Sequence, residues 1–383
     1  MKRKHILIVT MDTDHTAPGV VFQALIRSLS SYAELTVLCP SWHPQDSFEG
    51  IHRVVLPHYH EHSWKTIRRR FRLFGSNFSD HNWVRKALPA AMDAIKELRF
   101  DWVVTFTSMC YFPSIVLGKE LAIHLGLPWY IYSVDGIPSP AEWMDGDRKT
   151  HCSMARWLDR HCTGANTFFS ANPFMMEYQK QILKSFTGKW DYLYTPHTLV
   201  QSPRAKEHSG IRFLYTGNLY GLRKVDGLAD AFRQFRKNHP DARICFVGAW
   251  SHDSYDCFRD LTEEGAVVFE PYCKDLTPFY ETADILIDIG ADIPGDVFLS
   301  SKIISYLPQN RPILSISGIP SPVRSILAGC PGIYFASNRA EEILSAMEDC
   351  VKALPSGIKG REPFIDLFDA DNVARKLYET LNG

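Results

Sequence analysis

The sequence predicts an α/β protein built from two successive doubly wound, Rossmann-like domains. Short β-branched apolar runs alternate with helical patterns along most of the chain, the mark of parallel sheets covered on both faces. The alternation breaks at residues 195–210, which include Pro196, Ser202, Pro203, Lys206, Glu207 and Ser209, and then begins again. A length of 383 residues suits two domains and excludes a single small binding module. The expected division is residues 1–200, residues 208–365, and a terminal helix in 366–383 that crosses back to the first domain. Two such domains are expected to face a central cleft at the carboxyl ends of their strands.

The elements follow from pattern and punctuation. Residues 6–10 form a β-branched strand signal behind basic residues, followed by a polar loop and a helical pattern at 20–29. Strands are expected at 35–39, 53–56, 102–106 and 129–133, with helices at 84–98 and 115–125. A strand at 167–170, then Asn172-Pro173 and a helix at 174–183, close the first half. The second half reads as strands 212–216, 243–247, 267–270, 285–289 and 312–316, with helices 228–238, 255–264, 276–282, 299–307 and 322–328. Beyond Asp366, the spacing of Leu367, Phe368, Val373, Leu377 and Leu381 gives a helix one apolar face.

Composition narrows the functional classes. Forty-two Lys and Arg against 43 Asp and Glu leave a net charge of −1, so attraction to nucleic acid or membrane must come from a local patch. No run of about 18 apolar residues is present to span a bilayer. The basic start meets only a short apolar run before Asp12 and Asp14, so no signal peptide is expected. Nine scattered cysteines suit reduced thiols in a cytoplasm. His151-Cys152, His161-Cys162 and the alternating His58, His60 and His62 match no standard metal spacing and are expected to pack or face solvent.

Residues 213–229 carry the strongest chemical signal, F-L-Y-T-G-N-L-Y-G-L-R-K-V-D-G-L-A. A strand ends at Thr216, Gly217 permits close backbone approach, and Arg223 and Lys224 arrive just before a helix amino end. Arg grips phosphate oxygens through paired N–H groups and Lys adds a compact charge, which suits a pyrophosphate. Further on, a Gly-containing loop precedes Ser300, Ser301 and Lys302 at a predicted helix start, a second candidate contact for an anion.

Taken together, these segments resemble the carboxyl-terminal donor domain of GT-B glycosyltransferases, most closely family 4 of the bacterial polysaccharide type. The spacing from Gly217 to Lys224 and the run Ser301-Lys302 to Tyr306 and Arg311-Pro312 carry the resemblance, which is dense in the second half and thin in the first. It implies a metal-independent transferase without a resident cofactor, moving a sugar from a nucleotide-diphosphate-sugar donor to a sugar or lipid-linked acceptor. The first domain would bind the acceptor and the second the donor. Gly217, Asn218, Arg223, Lys224, Ser301 and Lys302 would form the donor site. Asn218 stands where relatives often have Arg, and Ser305 where they usually have the Glu that holds the donor ribose. A sugar-nucleotide 2-epimerase of the same fold and a non-catalytic scaffold partner are the alternatives.

In the first half, residues 131–140 read I-Y-S-V-D-G-I-P-S-P. The resemblance places Asp135 as the catalytic residue, like the Asp-Gly of xanthan-type glucuronosyltransferases, where the Asp is a base. A carboxylate there suits either removal of an acceptor proton or stabilisation of charge at the anomeric carbon. The loop after the first strand, with Asp14, His15 and Gly19, is expected near acceptor or phosphates, Pro18-Gly19 replacing the usual Gly-Gly. Finally, residues 65–72 read K-T-I-R-R-R-F-R, and Arg68, Arg69, Arg70 and Arg72 suit an anionic membrane surface. That favours a cytoplasmic protein held peripherally at the inner membrane face; no nucleic-acid partner is expected.

Overall fold

The structure is a computed structural model that describes residues 3–13, 16–41, 50–60, 62–197 and 208–383. It divides into two compact units, Met1–Thr198 with Leu367–Gly383, and Leu199–Asp366. Each holds one parallel sheet flanked by helices, as two Rossmann-like domains require.

The first unit runs β1 (His5–Val9), α1 (Ala17–Leu29), β2 (Glu34–Cys39), β3 (Ile51–Val55), α2 (Trp64–Phe74), α3 (Phe78–Ile95), β4 (Trp102–Thr107) and α4 (Phe112–Leu125). It continues through β5 (Trp129–Ser133), α5 (Arg148–Cys162), β6 (Thr167–Ser170), α6 (Pro173–Ile182) and β7 (Lys189–Tyr192). The sheet order is β3-β2-β1-β4-β5-β6-β7, so the chain reverses direction across the sheet between β1 and β4. Ile6, Leu7, Ile8 and Val9 are fully buried, because a strand covered on both faces has no solvent side to alternate with.

The second unit runs β8 (Arg212–Thr216), α7 (Asp226–Phe235), β9 (Arg243–Val247), α8 (His252–Asp256), α9 (Arg259–Glu263), β10 (Val267–Glu270), α10 (Thr277–Thr282) and β11 (Ile285–Ile289). Next come α11 (Ser301–Tyr306), β12 (Ile313–Ile316), α12 (Pro322–Ile326), β13 (Ile333–Ala336), α13 (Ala340–Ala353) and α14 (Glu362–Asp366). Its order, β10-β9-β8-β11-β12-β13, reverses between β8 and β11.

The last helix, α15 (Ala370–Asn382), belongs to the first unit, where Val373, Ala374, Leu377 and Leu381 join the core. Full burial of a Leu or Val contributes about 1.5–3 kcal/mol, so three such side chains hold the helix without any unusual contact. The Tyr32 hydroxyl donates to Asp371 (2.7 Å) and Lys376 donates to the Tyr192 carbonyl (2.6 Å), fixing its rotation.

Several elements depart from the sequence expectation. The single helix expected at 255–264 is two, α8 and α9, because the backbone leaves helical geometry at Phe258 (φ −113°, ψ 13°), whose ring is buried. Strands β7 and β13 and the long helix α13 are additional. Both strands lie at sheet edges, where half-burial removes the continuous apolar run that identifies a central strand.

Candidate active site

In a doubly wound sheet the reversal point leaves a crevice at the carboxyl ends of the two adjoining strands. In the second unit those strands are β8 and β11, and most of the predicted donor residues gather there. Thr216 ends β8 and donates its backbone N–H to the Tyr306 hydroxyl (2.9 Å), which ties the strand end to α11. Gly217 follows with φ +114° and donates its N–H to the Val247 carbonyl (2.7 Å). A Cβ at Gly217 would overlap the Lys302 side chain, and one at Gly248 would overlap the Gly217 carbonyl. Glycine at both positions therefore lets the loops after β8 and β9 touch while Lys302 lies across the turn.

Asn218 has a backbone role. Its Oδ1 accepts the Ala249 N–H (3.0 Å), and its carbonyl accepts the Tyr215 hydroxyl (3.1 Å). Arg223 lies half-buried with its guanidinium 4.8 Å from the Tyr220 ring centroid, whereas Lys224 is exposed. Lys302 is placed by α11, whose cap Ser300 accepts the Lys302 N–H (3.3 Å); its ammonium sits 5.4 Å from the Tyr215 ring centroid. Ser301 is exposed, and the hydroxyl that serves the cluster is that of Ser300.

One residue of this cluster carries no sequence motif. Asp288, in β11, is fully buried, and its Oδ2 accepts the Ser315 hydroxyl (3.3 Å). Burial raises its carboxyl above the usual range, while a hydrogen bond from Ser300 and the charges of Lys302 and Arg223 oppose the rise. Lys302 is pushed down to about 7 by burial and by Arg223, with Asp288 acting the other way. The only hint in the sequence is an acidic side chain inside an otherwise apolar strand, I-L-I-D-I.

In the first unit the reversal point lies between β1 and β4, and its chemistry is different. Asp12, buried just past β1, accepts the hydroxyls of Thr16 (2.9 Å) and Tyr111 (3.2 Å) through Oδ2, and Thr16 caps α1 by accepting the Gly19 N–H (3.1 Å). Asp14 and His15 lie outside the described residues. Asp135 follows β5, half-buried, and its Oδ2 accepts the Met109 N–H (3.0 Å) from the loop after β4. Burial raises its carboxyl, with the Met109 N–H opposing, which moves it in the direction a general base requires.

The basic run forms α2, with Ile67 and Phe71 turned into the core. Arg68 pairs with Asp145 (2.7 Å) and the Met144 carbonyl (2.8 Å), and Arg70 bonds Asn77 and Ser79, so these two serve the unit internally. Lys65, Arg69 and Arg72 are exposed, beside Leu73 and Phe74 at 61% and 62% exposure.

The histidine dipeptides are packing residues. His161 stacks on Trp157 (4.0 Å between ring centroids) and hydrogen-bonds its carbonyl, and His151 bonds the Tyr178 hydroxyl (2.7 Å). Trp157 and His161, with His81, Lys119, Glu120 and Arg160, line a pocket of about 380 Å³ on the outer helical layer, away from the strand ends. Among the described residues no group of three or more His, Cys, Asp or Glu is placed to hold a metal ion, and no helix is long and apolar enough to cross a membrane.

No protein-family model matches the sequence, and no curated protein matches it by sequence. Solved structures do match in shape, over almost the whole of both chains. Sucrose-phosphate synthase (tll1590) from Thermosynechococcus elongatus superposes with a TM-score of 0.72 at 13% identity, covering 99% of this chain and 98% of that one. The Anabaena protein Alr3699/HepE, solved in complex with UDP and glucose, gives 0.66 at 12% identity with 100% of each chain covered. The chain has the GT-B fold. The lipopolysaccharide outer core galactosyltransferase WaaB is also similar, with a TM-score of 0.58 at 13% identity and 99% of each chain covered. At such identities the GT-B likeness speaks for architecture, and function has to be argued from the clusters at the strand ends.

Proposed function

We propose that this GT-B chain is a glycosyltransferase of the family 4 type. The second unit would hold a nucleotide-diphosphate sugar and the first would hold a sugar or lipid-linked acceptor. The observation that carries this reading is the gathering of Gly217, Arg223 and Lys302 at the β8–β11 reversal point. Two cations beside a glycine turn suit a leaving diphosphate, and the UDP and glucose held by the Anabaena protein of the same fold support that ligand class.

In the transfer, the bond between the anomeric carbon and the diphosphate oxygen breaks, and its electron pair leaves on the diphosphate. Arg223 and Lys302 stabilise that charge, with Lys224 at the rim. A new bond forms from the acceptor oxygen to the anomeric carbon. With inversion, Asp135 takes the acceptor proton; with retention, it stabilises positive charge at the anomeric carbon, and the product's configuration tells the two apart. The reading includes no metal and no resident cofactor. The exposed basic and apolar end of α2 suits peripheral attachment to an anionic membrane carrying a lipid-linked acceptor.

The test is a calorimetric and thermal-shift screen against UDP, GDP, ADP and CMP sugars, with Arg223→Met alongside. One nucleotide class should stabilise the protein saturably, by about 2.7 kcal/mol at a hundred times its dissociation constant, and the variant should need more ligand. Silence toward every nucleotide would sink the donor site and favour a non-catalytic scaffold.

A further inference from the structure

Strand β8 stops pairing with β11 before either strand ends. The register runs Phe213 to Ile285 and Leu214 to Leu286, yet β8 continues to Thr216 and β11 to Ile289. Along a central strand, successive residues turn their backbone groups to opposite neighbours. Gly217 gives its N–H to Val247 of β9 (2.7 Å), and Arg212 accepts the Asp284 N–H (2.8 Å) on the β11 side. Thr216, an even number of residues beyond Arg212, therefore faces β11. Its N–H goes to the Tyr306 hydroxyl (2.9 Å), which also lies 2.9 Å from the Thr216 Oγ1, and the Tyr280 hydroxyl stands 3.4 Å from that Oγ1. Thr216, Tyr280 and Tyr306 are all buried, and a buried N–H without an acceptor is costly, so this contact is firmly held.

The Tyr306 hydroxyl thus does at the mouth what a neighbouring strand does deeper in the sheet, and it does so from a helix. Lys302 precedes Tyr306 by one turn of α11, a spacing that puts both on one face. The Lys302 methylenes fill the space a Gly217 side chain would take. Two side chains of one short helix therefore hold two successive residues of the β8 end, Tyr306 on Thr216 and Lys302 on Gly217.

We propose that Tyr306 is a positioning residue of the donor site: its hydroxyl ties the unpaired end of β8 to α11, and so seats Lys302 on the Gly217 turn where a nucleoside diphosphate binds. This rests on the donor reading given above. The hydroxyl acts through Lys302 and does not touch the ligand. Without it, the Thr216 N–H has to find another acceptor, the end of β8 and α11 move relative to each other, and Lys302 leaves the turn. Preorganisation of the cation is then lost, and the diphosphate has to order the site as it binds.

Two measurements test this. The first is calorimetric titration of the full chain with the nucleoside diphosphate that stabilises it, for the unaltered protein, Tyr306→Phe, Lys302→Met and the double variant. Tyr306→Phe keeps the ring and deletes the hydroxyl, and it should weaken binding about tenfold. In the Lys302→Met background the same substitution should cost little more, because the ammonium that the hydroxyl places is already gone. Equal losses in the two backgrounds, or unaltered affinity at a lowered denaturant midpoint, would assign the hydroxyl to the fold alone and overturn the proposal. The second measurement needs no donor: crystal structures of the unliganded protein and of Tyr306→Phe, with hydrogen exchange followed by NMR. Lys302 should lie on Gly217 in the first structure and leave it in the second; an unmoved Lys302 overturns the proposal. So does a Thr216 amide that exchanges in the unaltered protein as freely as an exposed one, an outcome that needs no folded variant. Lys302 displaced as expected, with no nucleotide bound by the unaltered protein, overturns the donor reading instead.

Discussion

The two sheets share a topology and differ in what stands at their reversal points. At the mouth of β8 and β11, cations meet a glycine turn: Lys302 lies against Gly217, Arg223 is near enough to act on the Lys302 charge, and Asp288 is buried in β11. At the mouth of β1 and β4, and at the neighbouring end of β5, the acidic groups Asp12 and Asp135 are hydrogen-bonded by hydroxyls and a backbone N–H. On the proposed function, the same backbone arrangement would offer one site for negative charge and one able to accept protons. What separates them is a handful of side chains at strand ends, and the core has no part in the distinction.

The sharpest way to break this division of labour is Asp135→Asn. The substitution keeps the shape and an oxygen for the Met109 N–H, and it removes the basic group. Turnover should fall by about 100- to 10,000-fold, the usual contribution of a general base, with donor affinity unchanged. Steady-state kinetics beside donor calorimetry separates the two quantities. Retained turnover would remove Asp135 from the chemistry and leave Asp12 as the acidic candidate at the first mouth among the described residues.

Next in size is Gly217→Ala. At φ +114° an alanine is strained by about 1–3 kcal/mol, and its methyl group meets the Lys302 side chain, so stability and donor affinity should fall together. Denaturant midpoints and donor titrations report each in turn. Unaltered donor affinity at reduced stability would mean that the turn serves the fold and Lys302 is not a donor contact.

The two mouths also differed in how legible they were. Gly217, Arg223 and Lys302 belong to contiguous patterns at the end of a strand or the start of a helix, where local punctuation and charge coincide, so the sequence marked them out. Asp288 was hidden because its meaning depends on Ser300, Ser315 and Lys302, brought to it from other elements by the sheet order. Arg68 and Arg70 show the converse: a run of like residues conceals that two of its members are tied to neighbours within the unit, Asp145 and Asn77. The doubly wound alternation was legible because central parallel strands are apolar throughout. Edge strands β7 and β13 were not, since half-burial leaves no such signal.

The smallest expected effect probes whether Asp12 belongs to the chemistry of its mouth or only to its architecture. Tyr111 is buried, and its hydroxyl meets both the Asp12 carboxylate and the Thr16 hydroxyl (2.9 Å) that caps α1. Tyr111→Phe keeps the ring and deletes that hydroxyl, leaving Asp12 with Thr16 as its donor in this trio. The loss of one buried hydrogen bond should cost about 0.5–1.5 kcal/mol in stability, with donor affinity unchanged because the second unit is untouched. If turnover also stands, Asp12 is a brace that fixes the start of α1, and Asp135 remains the acidic candidate at this mouth among the described residues. If turnover falls while donor affinity holds, the brace positions the acceptor, and the first mouth works through both carboxylates. A fall in donor affinity would break the comparison itself, since the two clusters would then no longer act on separate partners.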